Sequence, residues 1–272
     1  MITLRSLTLI LSLAGGLSAQ APASDDVLWK QYFDWFQQGD LNANTPQKYR
    51  AKLVADGLTE AQADERMEVI KKLWLQHEAD RIALFFDRMY TAPVAVFNTE
   101  PNAFLVSMTA DRKPGKALDV AMGQGRNALY LASKGWQVTG FDIAEKGLEA
   151  AQAAAQKRGL HIATVKSGYE DFDFGHEQWD LIVFSYAWVP LIHPVLIERV
   201  REGLKPGGLV AIEHPAEDPL SQLPPHDPAD AVNSMVKMWS SGFRILHYED
   251  TEGQWDWRIR KARVLRLLAQ KW

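Results

Sequence analysis

The stretch LDVAMGQGRNALYLASKGWQVTGFD, residues 118–142, decides the fold. A short apolar run leads into a turn with two glycines, and a helical pattern leads into a second apolar run that ends at an acid. Gly123 and Gly125 let the backbone turn tightly and approach a ligand closely. Asp142 ends the second run, where a carboxylate can accept hydrogen bonds from both ribose hydroxyls. The stretch therefore indicates a strand–turn–helix–strand unit that holds an adenosine-bearing cofactor.

Short apolar runs alternate with helical patterns from residue 116 onward. The predicted strands are KALDVAM, WQVTGFD, LHIATVK, WDLIVFS and GLVAIEH, and helical segments such as RNALYLASK and PVLIERVREGLK separate them. This order predicts an α/β fold with a doubly wound, mainly parallel sheet that is covered on both faces. Ligands of such sheets bind beyond the carboxyl ends of the strands.

The glycines alone do not choose the cofactor. Gly123, Gly125 and Ala128 also satisfy G-x-G-x-x-G/A, the dinucleotide fingerprint, so an NAD(P)-dependent oxidoreductase is an alternative. Asp119, four residues before the first glycine, favours a cationic ammonium group over a pyrophosphate at this place. The unit also follows a long helical region instead of opening the chain.

Four segments carry a resemblance to class I S-adenosylmethionine-dependent methyltransferases. They are TEPNAFL, the stretch at 118–142, WDLIVFSYAW and LKPGGLVAIEH. The nearest group is the small-molecule methyltransferases of the tellurite-resistance and thiopurine types, and the resemblance covers residues 97–272. It implies a Rossmann-like sheet of seven strands with the last strand antiparallel. It also implies methyl transfer from S-adenosyl-L-methionine to a small-molecule acceptor.

The resemblance implies a set of cofactor-binding residues. Asp119, Gly123 and Gly125 would surround the methionine end, and Asp142 would hold the ribose. Gly168 and Tyr169 would flank the adenine, although Gly168 replaces the acid that the family often has there. Ala121 likewise replaces the first glycine of the family motif. The full set is Asp119, Ala121, Gly123, Gly125, Asp142, Ile143, Gly168, Tyr169 and Ser185.

Candidates for acceptor binding and catalysis follow the later strands. Tyr186 and Trp188 lie in SYAWVPLIH, after the fourth strand, and are expected to line the acceptor pocket. His214 follows the apolar strand GLVAIE, and an imidazole suits proton removal from a hydroxyl or thiol acceptor. We expect His214 to act as a general base, with Tyr186 as a second catalytic candidate. The alternative for His214 is a packed residue at the strand end. No metal site is expected.

The first 23 residues resemble a secretory signal peptide. They combine one cation, Arg5, with an apolar run at 7–17 and small residues before position 24. The run is too short for a comfortable membrane span, so no stable span is expected after cleavage. The sequence predicts export to the periplasm or medium, with a membrane-tethered or cytoplasmic protein as the alternatives.

The remaining chain is expected to contain two parts, a helical N-terminal extension at 24–96 and the α/β domain at 97–272. Thr59 and Gln62 form the pattern of a capping box and predict a helix start in the extension.

The composition of the chain excludes several classes of partner and site. The net charge is −4, with no long Lys/Arg run, which excludes the electrostatic signature of a nucleic-acid-binding protein. The chain has no cysteine, which excludes disulfides and thiolate metal sites. A small-molecule acceptor is the expected partner, and the oligomeric state is left open. Because an exported methyltransferase would lack its cofactor, a non-catalytic ligand-binding protein of this fold is a further alternative.

Overall fold

The computed structural model describes residues 24–38, 44–95, 97–216, 228–255 and 260–272. The predicted signal peptide lies outside these residues. The chain divides into two compact units, one that ends at His77 and one that begins at Glu78. None of the described helices has the length and apolar content of a membrane span.

The first unit contains three described helices, α1 (Asp25–Gln37), α2 (Pro46–Ala55) and α3 (Glu60–Gln76). Its core is a cluster of buried aliphatic and aromatic side chains: Leu28, Trp29, Tyr32, Tyr49, Leu53, Ala63, Ile70 and Leu73. The capping box is confirmed at the start of α3. The Gln62 amide donates to the Thr59 hydroxyl at 3.3 Å, and the Thr59 amide donates to the Gln62 side chain at 2.9 Å.

The second unit alternates helices and strands along most of its length. In chain order it contains α4 (Glu78–Tyr90), α5 (Ala103–Thr109), β1 (Lys116–Val120), α6 (Arg126–Ser133), β2 (Gln137–Asp142), α7 (Glu145–Arg158), β3 (Ile162–Lys166), β4 (Trp179–Ser185), α8 (Pro194–Gly203), β5 (Leu204–Pro215), α9 (Pro228–Trp239), β6 (Phe243–Trp255) and β7 (Arg260–Lys271).

The described strands form one seven-stranded sheet in the order β3-β2-β1-β4-β5-β7-β6. Strands β1 to β5 are parallel, and β7 runs antiparallel to both β5 and β6. The predicted fold, doubly wound and mainly parallel with an antiparallel last strand, is confirmed. The strand order reverses between β1 and β4, so the carboxyl ends of these two strands mark the place where this fold binds ligands.

Both faces of the sheet are buried, as the continuous apolar strands require. One core cluster includes Leu118, Val120, Ile182, Phe184, Val210 and Ile212. The alternate residues of the same strands belong to the other cluster, which includes Ala117, Leu181, Val183, Leu209 and Ala211. Because side chains cover both faces of the sheet, a ligand site is expected at the carboxyl ends of the strands.

Helix α4 belongs to the second unit, although the sequence assigned 24–96 to one helical extension. The Lys146 amide, in the first turn of α7, donates to the Asp87 carboxylate at 2.7 Å. The Gln124 side chain donates to the Tyr90 carbonyl at 3.3 Å. These contacts tie α4 to α7 and to the turn after β1. The extension therefore divides after His77, and the α/β unit begins earlier than residue 97.

Candidate active site

The turn after β1 has the tight geometry that its glycines predict. Ala121, Gly123 and Gly125 have φ angles of 52°, 53° and 75°. Glycine adopts this left-handed region freely, whereas an L-residue there costs about 1–2 kcal/mol. Ala121 accordingly carries backbone strain at the position where the family motif has glycine.

Asp142, at the end of β2, holds this turn and the start of α7 together. Its carboxylate accepts hydrogen bonds from the Gly123 amide and the Ala144 amide, both at 2.8 Å. Burial raises its pKa to about 6, while these two amides and that of Ile143 favour the charged form. The side chain is only 5% exposed. Asp142 thus organises the backbone around the predicted ribose position.

Asp119 is a buried carboxylate at the end of β1. Only 2% of the residue is exposed, and its Oδ2 atom has no hydrogen-bond partner among the described residues. Burial raises its pKa to about 7, and the guanidinium of Arg126 opposes that rise. A buried carboxylate oxygen without a donor is costly unless a cation pairs with it. This oxygen therefore fits the ammonium group of an amino-acid ligand.

A cleft of about 310 Å³ lies at the carboxyl ends of β1, β4 and β5. It brings together four of the predicted methionine-end residues and all three acceptor-side residues: Asp119, Ala121, Gly123, Ser185, Tyr186, Trp188 and His214. Gly125 is not among the described lining residues and is the N-cap of α6. These seven residues thus lie around one cleft, and their roles in binding and catalysis stay predictions.

The predicted ribose and adenine residues do not border this cleft. The described lining residues do not include Asp142, Ile143, Gly168 or Tyr169. Gly168 and Tyr169 follow β3, where the Tyr169 carbonyl accepts a hydrogen bond from Arg199 at 2.7 Å. The roles of these four residues in cofactor binding stay predictions.

The acceptor side is built from residues after β4 and at the end of β5. His214 is 4% exposed and lines the cleft. Tyr186 has a φ of 56°, and its hydroxyl donates to the Gln254 carbonyl at 2.9 Å. The Trp188 ring meets Phe86 edge to face, with centroids 5.3 Å apart. The His214 imidazole and the Asp119 carboxylate therefore line one cleft together with several aromatic side chains.

The central part of the second unit matches a known family. A family model described as a methyltransferase domain matches residues 117–208, from β1 into β5. In these residues the chain is similar to methyltransferase domains.

Two curated relatives match part of the chain. The probable S-adenosyl-L-methionine-dependent methyltransferase TehB of Haemophilus influenzae is 30% identical over 146 residues, 52% of this chain and 50% of that protein. An uncharacterized methyltransferase of Synechocystis sp. is 36% identical over 104 residues, 36% of this chain and 47% of its own. The chain thus spans about half the length of the curated relatives it matches.

The fold of the domain is similar to that of TehB. The crystal structure of TehB from Haemophilus influenzae superposes with a TM-score of 0.51 at 22% identity, and the match covers 70% of this chain and 67% of that structure. At this identity the likeness concerns the fold alone.

The sequence analysis missed several residues that line the cleft. Arg126 lines it and donates to the Ser185 hydroxyl at 3.0 Å and to the Glu100 carbonyl at 3.1 Å. Its place directly after the two glycines, at the first position of α6, is a signal that could have found it. The aromatic lining also includes Phe86, Tyr90, Phe97 and Trp255. Of these, the first two show a local signal, the spacing of four along α4.

A buried clamp holds the TEPN segment against the end of β5. Glu213 accepts from the Asn102 side-chain amide and from Arg266 Nε, both at 2.6 Å. Asn102 also caps α5 by accepting from the Leu105 amide at 2.9 Å. Because Glu213 directly precedes His214, the clamp fixes the backbone from which the imidazole projects.

Proposed function

We propose that this protein transfers a methyl group from S-adenosyl-L-methionine to a small-molecule acceptor. The observation that carries the proposal is the Asp119 oxygen, buried at the switch point of the sheet without a donor. A dinucleotide would bring a pyrophosphate to this turn, and the charge of Asp119 would repel it. An amino-acid cofactor brings an ammonium group, which compensates for the cost of the buried carboxylate.

Three residues of the chain would hold parts of such a cofactor. Asp119 would hold the ammonium group, Asp142 the ribose hydroxyls, and Ser185 would lie beside the methionine moiety. When bound, S-adenosylmethionine supplies an electrophilic methyl group on a sulfonium. The aromatic side chains around Trp188 exclude water and hold the acceptor in line, which is the main contribution that a protein makes to this kind of displacement.

His214 is the residue best placed to move a proton. It is buried and lines the same cleft as Asp119, Tyr186 and Trp188. A hydroxyl or thiol acceptor must lose a proton as it becomes methylated, and an imidazole accepts that proton near neutral pH. The cleft is lined by several aromatic side chains, and its described basic residues are Arg126 and Arg158, so it favours a small acceptor over a nucleic acid.

Thermal denaturation with three ligands tests the cofactor. Adenosylhomocysteine and S-adenosylmethionine should raise the midpoint, since a ligand that binds only the folded state stabilises it. NAD should leave the midpoint unchanged. A shift with NAD alone would favour the oxidoreductase that shares the glycine pattern, and no shift with any of the three would favour a non-catalytic protein of this fold.

We also propose that the mature protein is exported. The support is the single cation, the short apolar run and the small residues before position 24. Mass spectrometry of the protein purified from its native cells, fraction by fraction, tests this. Loss of about 19–23 residues in a fraction outside the cytoplasm is expected, and an intact Met1 in the cytosol would contradict export.

A further inference from the structure

The ring of Tyr90, the last residue of α4, lies between two glycines. A Cβ atom at Gly123 would overlap the Tyr90 hydroxyl, and one at Gly147 would lie 2.9 Å from the ring carbon Cε2. Gly147 is in the first turns of α7, where glycine is about 1 kcal/mol less favourable than alanine. The two glycines therefore make room for the tyrosine ring, one in the turn after β1 and one in α7.

Polar contacts hold α4 in this place. The Asp87 carboxylate accepts from the Lys146 amide, whose N–H is one of those that the α7 helix leaves without an internal partner. A negative charge at this end of a helix is favourable. The Tyr90 carbonyl accepts from the Gln124 side chain, in the turn after β1. Helix α4 is thus docked on the same backbone that Asp142 organises.

Tyr90 separates the cleft from Asp142. The ring borders the cleft, whereas Asp142 does not and is 5% exposed. The Gly123 amide donates to Asp142, and a Cβ atom at Gly123 would overlap the Tyr90 hydroxyl, so the phenol lies near that carboxylate. Burial, and after it the charge of Asp142, raises the pKa of Tyr90 well above its ordinary value. A ribose that approaches Asp142 from the cleft would therefore meet the Tyr90 ring at Gly123.

We propose that Tyr90 is a gate on the ribose side of the cleft, and that the cofactor reaches Asp142 only when the last turn of α4 moves away. The proposal rests on the proposed function and adds the conformational step that precedes binding. The affinity measured for a ligand falls by the fraction of molecules whose site is open. Removing the ring should therefore speed up binding and strengthen it.

Adenosylhomocysteine binding to two Tyr90 variants tests the gate. Tyr90→Ala should increase the association rate at least about tenfold and lower Kd at least about threefold, measured by stopped-flow tryptophan fluorescence and calorimetry. Tyr90→Phe, which keeps the ring, should match the parent protein. The matched control is Tyr130→Ala on α6. Tyr130 is not among the described lining residues of the cleft, and the centroid of its ring lies 5.7 Å from Lys134 Nζ. This substitution should leave the association rate and Kd unchanged.

The opposite pattern would overturn the gate. If both Tyr90 variants bind more weakly than the parent protein, the phenol is a ligand contact. If Tyr90→Ala binds with the parent's rate and affinity, the ring does not obstruct the site.

A reversible cross-link tests the same step without removing the tyrosine. The chain has no cysteine, so Asp87→Cys with Lys146→Cys gives a single possible disulfide between α4 and α7. In the molecules that have formed the disulfide, as measured by the loss of free thiols, adenosylhomocysteine affinity should fall at least about tenfold. The affinity should return when the disulfide is reduced. Equal affinity in the cross-linked and reduced forms would overturn the proposal. Each single-cysteine variant, oxidised in the same way, is the control.

These outcomes differ from a failure of the proposed function. A chain that does not use S-adenosylmethionine would bind adenosylhomocysteine in no form, including Tyr90→Ala and the reduced cysteine pair. A chain that binds it in every form equally would keep the proposed function and lose the gate.

Discussion

Replacing Asp119 with Asn should stabilise the fold at alkaline pH and weaken cofactor binding at the same time. Burial raises the pKa of this carboxyl from 3.8 to about 7. One unit corresponds to about 1.4 kcal/mol, so ionising the buried group costs the folded state up to about 4 kcal/mol. Asn keeps the shape of the side chain and removes that cost.

The pH dependence identifies the cause. Because the folded-state pKa is the higher one, the folded protein keeps the proton between about pH 4 and pH 7 while the unfolded chain loses it. The free energy of unfolding of the parent protein therefore decreases as the pH rises through this window. The Asp119→Asn variant should not show this decrease. Its advantage should be about 1–2 kcal/mol at pH 5 and up to about 4 kcal/mol at pH 8.5.

Urea denaturation at the two pH values measures this difference. Asp111→Asn, at an exposed aspartate, is the matched control and should show no such advantage. Calorimetry should show that Asp119→Asn binds adenosylhomocysteine at least about tenfold more weakly, since a charge-assisted hydrogen bond is lost. A variant that is less stable than the parent at pH 8.5, or whose advantage is the same at both pH values, would show that ionisation of Asp119 does not destabilise the fold.

Three further substitutions test other parts of the site. Asp142→Ala should lower adenosylhomocysteine affinity at least about tenfold in calorimetry, because two charge-assisted hydrogen bonds to the ribose are lost; unchanged affinity would remove Asp142 from the ribose site. His214→Ala should lower kcat at least about a hundredfold at unchanged adenosylhomocysteine affinity; a loss of less than about tenfold would return His214 to a packing role. Asn102→Ala should destabilise the fold by about 2–3 kcal/mol in urea denaturation, since it removes both a helix cap and a partner of buried Glu213; a change below about 0.5 kcal/mol would show that the clamp contributes little.

The sequence predicted the parts of the site that local patterns determine. The turn at Gly123 and Gly125 and the acid at Asp142 follow from strand and turn signals within 25 residues. The strand ends at Ser185 and His214 follow from the alternation of apolar runs and helices. The parallel sheet then brings these ends to one edge, which explains why the methionine and acceptor residues were found together.

The sequence did not predict which unit α4 packs against. Its amphipathic pattern indicates a buried face but not the partner of that face. The same limit hid Tyr90, whose position depends on contacts with Gly123 and Gly147, far along the chain. Trp255 was missed because the end of a long antiparallel strand reaches the cleft only after β6 and β7 pair.

Calorimetric titration of the purified protein with S-adenosyl-L-methionine shows whether the chain binds this cofactor. We expect saturable binding of one molecule per chain, displaced by adenosylhomocysteine and unaffected by NAD. Absence of binding in both the parent protein and the Tyr90→Ala variant, or binding of NAD in its place, would contradict it.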